Sequence, residues 1–329
     1  MGAGFTMKLG ILEQMPTPKG KTAEDTVAET VALAQHAEQL GYERFWFAEH
    51  HATKGMASSA PEIMMAAVAS RTTQLHVGSG GILLPQYSPY RVAAQLLQLQ
   101  ALFPGRIEAG VGRSPGGAER VRSALADGKE NQLSEYPDKL EALVRYVHGE
   151  QSNGVRATPR TEAAPAIYSL GLGENSAEIA ARLGVGYVYG HFIEPSRGEA
   201  THEVYRQQFT PGNLSAPHAL TAVFVICGES DAHAEELATS QDVWLLRTEK
   251  GLDSRVPSME EAKAAKKTER DQRKIEENRK RMIIGGPDTV RKQLLYFSER
   301  YHNDEWLILT NIHDVEEKRR SFERIISLF

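Results

Sequence analysis

The sequence predicts an α/β protein built as a single (β/α)8 TIM barrel. Apolar strand-like segments alternate with amphipathic helical segments along nearly all of its 329 residues. Eight such units in order are typical of a barrel and not of an open doubly wound sheet. No linker composition and no repeat of solenoid period interrupts the alternation. We therefore expect one domain over residues 1–329.

The eight predicted strands are short, apolar and bounded by glycine or polar residues. They cover residues 9–12, 44–48, 75–78, 106–111, 166–170, 186–189, 220–226 and 306–309. Helical patterns with apolar residues on one face follow nearly every strand. They cover residues 26–40, 61–71, 89–102, 136–147, 176–183, 198–209, 232–246 and 315–326. The first helix also has a predicted capping box between Thr22 and Asp25, and Gly41 is expected to end it.

Ionisable residues follow the second predicted strand, where α/β barrels place their chemistry. These residues are Glu49, His50 and His51. Because side chains alternate along a strand, Glu49 and His51 are expected on one face and His50 on the other, so a regular strand could not aim all three into one pocket. The trio lacks the spacing of a helical zinc pair, and no later His/Cys cluster completes it, so no metal is expected. A hydrogen-bonded strand end without chemistry is the alternative.

A charge-dense segment, about residues 248–281, interrupts the alternation of strand and helix patterns before the eighth strand. Its lysines and arginines are interleaved with acidic residues, which is typical of a solvated insertion helix. It could form a mobile lid over the barrel mouth or be merely exposed. The chain then returns to the core at residues 283–288, and Pro287 is expected to begin the next helix.

Composition excludes several classes of protein. The chain is 41% hydrophobic and 25% charged with a formal net charge of −5, so it lacks the basic surface of a nucleic-acid binder. Its one cysteine, Cys227, excludes an internal disulfide and is expected to be a buried small hydrophobe. The sequence shows neither an apolar run of the roughly 20 residues that span a bilayer nor a secretory pattern. We expect a cytoplasmic protein without a membrane or nucleic-acid partner.

Three glycine-rich segments follow predicted strands. Residues 77–85 place glycines where the backbone must either turn sharply or approach something flat and bulky. Residues 106–114 add Arg113, which suits a phosphate or an anionic ring. Residues 171–176 open a helix whose free N–H groups can bind an anion. Gly171-Leu172-Gly173 with Glu194 also fits a weak dinucleotide pattern, but the third glycine is missing, so a monophosphate is preferred.

These segments together resemble the bacterial-luciferase-like family of flavin-dependent monooxygenases. The motifs that carry the resemblance are AEHH at 48–51, SSAPE at 58–62, VGSGGILLP at 77–85, PGRI at 104–107, GVGRSPG at 110–116, IGGPDTVR at 284–291 and RRSF at 319–322. They run along most of the chain. Members of the family are TIM barrels that bind FMN or, in one branch, the deazaflavin F420 at the C-terminal mouth of the barrel.

The resemblance implies roles for individual residues. His50 matches the catalytic histidine and Glu49 the adjoining carboxylate. The implied cofactor-binding residues are a cis-joined glycine pair against the isoalloxazine ring, a phosphate-side arginine and the turn that holds the phosphate: Gly80, Gly81, Arg113, Gly173, Asn175 and Ser176. This turn has Leu172-Gly173 where luciferases have an acidic residue and serine. Gly112 replaces a reactive cysteine of luciferase, so light emission is not expected.

The implied function is oxidation of a small, aldehyde-like organic substrate with reduced FMN and O2. Since only one weak G-x-G turn is present and no NAD(P)H site is expected, a separate flavin reductase should supply the reduced flavin. The family also implies a homodimer. An F420-dependent hydride-transfer enzyme and a non-catalytic flavin-binding protein are the alternatives. Oxygen chemistry requires a dry site, and Ile82, Leu83, Leu84 and Tyr87 could provide one or be ordinary strand-end packing.

Overall fold

Nine parallel strands form the centre of the molecule in a computed structural model that describes residues 7–114, 116–130 and 133–329. The strands are β1 (Lys8–Glu13), β2 (Arg44–Phe47), β3 (His76–Leu83), β4 (Ile107–Gly112), β5 (Ala166–Gly171), β6 (Gly186–Gly190), β7 (Ala219–Cys227), β8 (Met282–Gly285) and β9 (Glu305–Leu309). Strands β1 to β7 pair in sequence order, and β9 closes the barrel between β7 and β1. The fold is therefore a closed eight-stranded TIM barrel with one extra strand.

Helices surround the barrel. They are α1 (Ala23–Leu40), α2 (Pro61–Ala69), α3 (Pro89–Leu102), α4 (Glu119–Leu125), α5 (Tyr136–Val147), α6 (Glu174–Arg182), α7 (Gly198–Gln208), α8 (Asp231–Glu249), α9 (Met259–Ala264), α10 (Glu269–Arg279), α11 (Pro287–Tyr301) and α12 (Val315–Ile326). The capping box of Thr22 and Asp25 is confirmed, and Gly41 ends α1 with a φ of 91°. None of the helices in the described part of the chain has the length and apolar composition needed to cross a membrane.

All eight predicted barrel strands are confirmed, with two differences in detail. Strand β3 continues through the glycines to Leu83, because Gly80 and Ile82 still pair with β4 across a local shift in register. Where β8 lies, the sequence predicted only that the chain returns to the core. Among the described strands, β8 pairs only with β7 and is not one of the eight strands that close the barrel. Cys227 is fully buried, as predicted, and burial raises the pKa of its thiol to about 11.

The charged insertion is anchored to the barrel mouth at its centre. Val256 is completely buried, and its backbone pairs with Thr17 and Lys19 in the loop after β1. The N–H of Gly55, in the loop after β2, donates to Ser254 Oγ at 3.1 Å. A Cβ at Gly55 would stand 2.1 Å from the Ser254 backbone, so only glycine permits this approach. The insertion therefore joins the two loops. The sequence had suggested a solvated segment, but its centre at Val256 is buried.

Alternate residues of each strand point into the barrel and form layers there. On β2, Arg44 occupies the layer nearest the N-terminal ends of the strands, and Trp46 lies in the layer above it. The Trp46 indole fills the interior because neighbouring positions are glycine: Cβ atoms at Gly78 and Gly110 would lie 2.5 and 2.8 Å from it. The flat group that these glycines approach is thus a side chain of the protein itself.

The lowest layer is a buried ionic network. Nε of Arg44 donates to Glu108 at 3.2 Å, and Nη1 of Arg44 donates to Glu305 at 3.0 Å. Glu108 also accepts from Trp46 Nε1 at 2.6 Å, and Glu305 contacts His218 at 2.8 Å. Despite burial, hydrogen bonding to His218 and the charge of Arg44 hold the pKa of Glu305 at about 2. Arg44 is therefore the buried cation that two carboxylates share, and Lys8, 3.2 Å from Glu305, supplies a second positive charge.

Removing the Arg44 charge should destabilise the protein strongly. Arg44→Met would leave the Glu108 and Glu305 carboxylates without their buried cation, and breaking such a pair costs about 3–5 kcal/mol. Urea unfolding followed by circular dichroism measures the loss. Arg145→Ala, which breaks the exposed pair with Glu150, is the control and should barely move the midpoint. A loss below about 1 kcal/mol for Arg44→Met would show that the network is not needed for stability.

Candidate active site

A cavity of about 890 Å³ opens at the C-terminal ends of the strands. Small-molecule sites commonly span about 300–1,000 Å³. All the residues predicted to form the site line it, namely Glu49, His50, Gly80, Gly81, Arg113, Gly173, Asn175 and Ser176. The closed barrel brings them together from the ends of strands β2, β3, β4 and β5. No residue of the insertion is among the described residues that line the cavity, so its contacts do not support a lid.

Glu49, His50 and His51 all line this one cavity, which corrects the expectation that they could not. Strand β2 ends at Phe47, so the three residues lie in a loop and not in a regular strand. Ser58 holds the loop: its hydroxyl donates to the carbonyl of Ala48, and its own carbonyl accepts the N–H of His50 at 2.9 Å.

Glu49 is hydrogen-bonded through both carboxylate oxygens. Oε2 accepts the N–H of Leu83 at 2.8 Å. Oε1 accepts the hydroxyl of Tyr87 and lies 2.6 Å from Nε2 of His51. Glu49 and His51 thus share one side, as their alternation predicted. With its lone pairs engaged and its side chain buried, Glu49 is suited to hold its neighbours in place.

His50 differs from its neighbours because its ring has no matching partner. Its Nε2 is buried and makes no hydrogen bond to any residue in the described part of the chain. Burial, with His51 as a smaller cause, lowers the pKa of His50 to about 4. The ring is therefore neutral at pH 7, and a buried ring nitrogen without a partner is costly and common at functional sites. Of the two histidines, His51 has its Nε2 engaged by Glu49, whereas the Nε2 of His50 has no partner among the described residues.

The Gly80–Gly81 peptide is cis, as the resemblance implied, and both glycines line the cavity. A Cβ at Gly81 would stand 2.8 Å from the Gly110 carbonyl, and one at Gly80 would stand 2.6 Å from Leu12. Side chains are thus excluded from this wall, which leaves a bare backbone surface beside the cavity. Such a surface permits the close approach of a planar ring.

Positive charge collects at the other end of the cavity. Arg113 follows β4, is exposed to the cavity, and makes no salt bridge within residues 7–114, 116–130 and 133–329. Helix α6 begins next to it, and the N–H groups of Glu174 and Asn175 are unpaired among the described residues. The Ser176 hydroxyl donates to the Gly173 carbonyl at 2.6 Å and so stabilises the turn. The side chain of Glu174 is the one acidic group here.

Arg197 is a second cation at this end that the sequence analysis did not single out. It lines the cavity, and its Nη1 lies 3.5 Å from the place a Cβ would take at Gly173. The hydroxyl of Tyr189 accepts its backbone N–H at 3.2 Å. Arg197 stands between β6 and α7, the same kind of position that Arg113 has after β4. The position of Arg197 directly after a barrel strand was the signal in the sequence that could have identified it.

Other candidates from the sequence lie outside the site. Glu194 accepts hydrogen bonds from Ser196 in its own loop and is not among the cavity residues described, which removes the ribose ligand that a dinucleotide site needs. Ile82 and Leu84 are fully buried core residues, whereas Leu83 lines the cavity. In the described residues, no three His, Cys, Asp or Glu side chains are grouped as metal ligands.

Known proteins have sequences similar to this chain along most of its length. Residues 7–303 match the model of the luciferase-like monooxygenase family. The uncharacterised protein YceB of Bacillus subtilis (strain 168) is 52% identical over 98% of this chain and 99% of its own. The N-acetyl-S-alkylcysteine monooxygenase of the same organism is 33% identical over 96% of both chains.

Solved structures show the same barrel. The crystal structure of apo-MsnO8 is 35% identical, covers 98% of both chains and has a TM-score of 0.88. More distant folds include a type II Baeyer–Villiger monooxygenase from Pseudomonas putida in complex with FMN, 18% identical over 97% and 96% of the two chains with a TM-score of 0.71. An F420-dependent secondary alcohol dehydrogenase, 13% identical over 98% of both chains, has a TM-score of 0.69. The family match across most of the chain, with relatives above 30% identity, shows that this chain belongs to the luciferase-like monooxygenase family.

Proposed function

We propose that this protein is an FMN-dependent monooxygenase that uses reduced FMN and O2 to oxidise a small organic substrate. The observation that carries the proposal is that His50, a neutral histidine whose buried Nε2 has no partner among the described residues, lines the same cavity as Arg113, Arg197 and the start of α6. A neutral imidazole and an anion site in one cavity suit a phosphorylated cofactor whose reactive part lies near a base.

The residues present fit FMN. Arg113, Arg197 and the unpaired N–H groups of α6 would hold the phosphate. The bare backbone at Gly80 and Gly81 would receive the isoalloxazine ring. Reduced FMN would supply the two electrons that activate O2, so that one oxygen atom enters the substrate and the other leaves as water. F420 carries a longer anionic tail than this compact cluster of cations favours.

His50 and Glu49 then have different roles. His50, neutral at pH 7, can accept a proton on its ring or share one with a bound oxygen atom. Glu49 acts as a positioning residue, since its oxygens hold Tyr87, His51 and the Leu83 backbone. The apolar side chains of Leu12, Leu83 and Leu170 keep water from the reacting atoms.

Two partners complete the proposal. The chain receives reduced flavin from a separate reductase and works as a homodimer.

The reaction itself is tested by isotope incorporation. The purified protein is supplied with reduced FMN, ¹⁸O2 and a panel of small aldehydes, ketones and thioethers. Incorporation of one ¹⁸O atom into a product supports a monooxygenase. Hydride transfer with reduced F420, but no oxygen incorporation with reduced FMN, would favour the F420 alternative. Tight FMN binding without turnover on any compound would favour a flavin-binding protein.

Loss of His50 should impair turnover while leaving the fold intact. His50→Ala is expected to lower kcat by roughly 10²–10⁴-fold, the usual effect of losing an acid/base group. Because the pKa of His50 is about 4, its neutral form persists to about pH 5, and the wild-type rate should fall only as pH drops toward 4. His51→Ala, the matched neighbour, should reduce turnover less. Wild-type turnover in His50→Ala would remove this residue from the mechanism.

The two arginines should recognise the phosphate and not the ring. Arg113→Ala and Arg197→Ala are each expected to weaken FMN binding by roughly 10–100-fold, the value of one charge-assisted hydrogen bond. Riboflavin, which lacks the phosphate, should bind these variants as it binds the wild type. Arg182→Ala, at the opposite end of α6, is the control and should change neither affinity. Equal weakening of both ligands would place either arginine elsewhere.

Electron supply distinguishes a two-component system from a self-sufficient enzyme. With FMN and NADH alone, the protein should oxidise NADH negligibly, and adding a competent flavin reductase should restore substrate oxidation. Stopped-flow absorbance at 340 nm measures NADH loss. Oxidation by the isolated chain at about 1 s⁻¹ or faster, within the ordinary enzyme range, would contradict the separate reductase.

A further inference from the structure

The cavity has two chemically different walls. The charged side chains that line it come from the loops after β2, β4, β5 and β6. A second part of the wall comes from β1, β7 and β9 and consists of Leu12, Ala222 and Leu307, with Gln14 in the loop after β1. In the described residues, this second wall presents no charged group. A cofactor held by Arg113 and Arg197 leaves this apolar wall for the substrate.

Gln14 is the polar exception on the apolar wall. It is 8% exposed, and its Oε1 accepts from Nδ2 of Asn311 at 2.6 Å. The Nε2 group of Gln14 makes no hydrogen bond to any residue that the structure describes. A buried amide with an unused donor costs free energy unless a ligand or a water molecule accepts its hydrogen bond. The donor is therefore available to a molecule in the cavity.

A chain of buried residues holds the Gln14 amide in place. Asn311, 1% exposed, follows β9, and its backbone N–H donates to Oε1 of Gln241 at 2.9 Å. Gln241, fully buried on α8, donates in turn to the Met282 sulfur at 3.3 Å. A long side chain normally loses rotational freedom when it binds a ligand. The hydrogen bond from Asn311 already restricts the rotation of the Gln14 side chain, as expected for a group that orients a substrate.

We infer that Gln14 is a substrate-orienting residue and that the substrate is an uncharged, mainly apolar molecule with one acceptor oxygen, such as a carbonyl compound. The Nε2–H of Gln14 donates to that oxygen while Leu12, Ala222 and Leu307 pack against the apolar part. A carboxylate in the same place would lose its hydration without meeting a cation. This inference rests on the proposed function, because it takes the charged wall to be the cofactor's.

Calorimetric binding of a matched pair of probes tests the inference in the full chain loaded with oxidised FMN. The probes are 2-octanone, which is neutral, and octanoate, which carries a carboxylate on a chain of the same length. The ketone should bind at least tenfold more tightly than octanoate. Gln14→Met, which keeps the side-chain length and removes the amide, should weaken ketone binding about tenfold, as expected for one lost hydrogen bond, and leave FMN affinity unchanged.

Three results would overturn the inference: no ketone binding, octanoate binding as tight as ketone binding, or unchanged ketone affinity in Gln14→Met. Asn311→Leu, which frees the Gln14 amide without entering the cavity wall, should weaken ketone binding by a smaller factor and serves if Gln14→Met does not fold. Titration of the FMN-free chain separates the two proposals. Ketone binding that depends on Gln14 without any FMN affinity would refute the cofactor, whereas FMN binding with ketone affinity independent of Gln14 would refute the inference alone.

Discussion

The indole of Trp46, packed inside the barrel, connects every layer of this molecule. Below it, Glu108 accepts its N–H and a hydrogen bond from Arg44, which also donates to Glu305. Beside it, glycines of β3 and β4 provide the space that the ring occupies. Above it, the same ring forms part of the cavity floor. One side chain thus separates the charged layer from the chamber above it, and the glycines around the indole leave the space that it fills.

This separation explains how an acidic protein can keep a neutral histidine next to a cation-lined pocket. The ionic network at the N-terminal ends of the strands is internally compensated, so its charges have little effect on the chamber above. Within the chamber, Glu49 is held by the Leu83 N–H, the Tyr87 hydroxyl and the His51 ring. Burial keeps the His50 ring uncharged. The positive end of the cavity is formed by Arg113 and Arg197. Short-range contacts therefore set the electrostatic character of the ionic network, of the histidine region and of the cation-lined region separately.

Much of this organisation is readable from the sequence because it depends on local patterns. Alternating apolar segments identify the eight barrel strands, and the closed barrel then brings the residues after strands β2 to β5 into one cavity. Three features could not be read in this way. The end of β2 at Phe47 depends on Ser58, which binds the loop that follows. The Gln14 amide is held by Asn311, 297 residues later in the sequence, and Arg197 approaches Gly173 only in the fold. Strand β8 was missed because four apolar residues are equally consistent with a buried turn.

The anchoring of the insertion has a consequence for how this surface can diverge among relatives. Ser254 and Val256 join the loops after β1 and β2, and the loop after β2 also carries His50. Helices α9 and α10, in contrast, expose most of their charged side chains. Sequence drift or an engineered tag in the α9–α10 connection should therefore leave the chamber unaltered. Lengthening the chain between Gly251 and Val256 would instead shift the loop after β2 through the contact between Ser254 and Gly55, so a short surface stretch constrains the geometry of the barrel mouth.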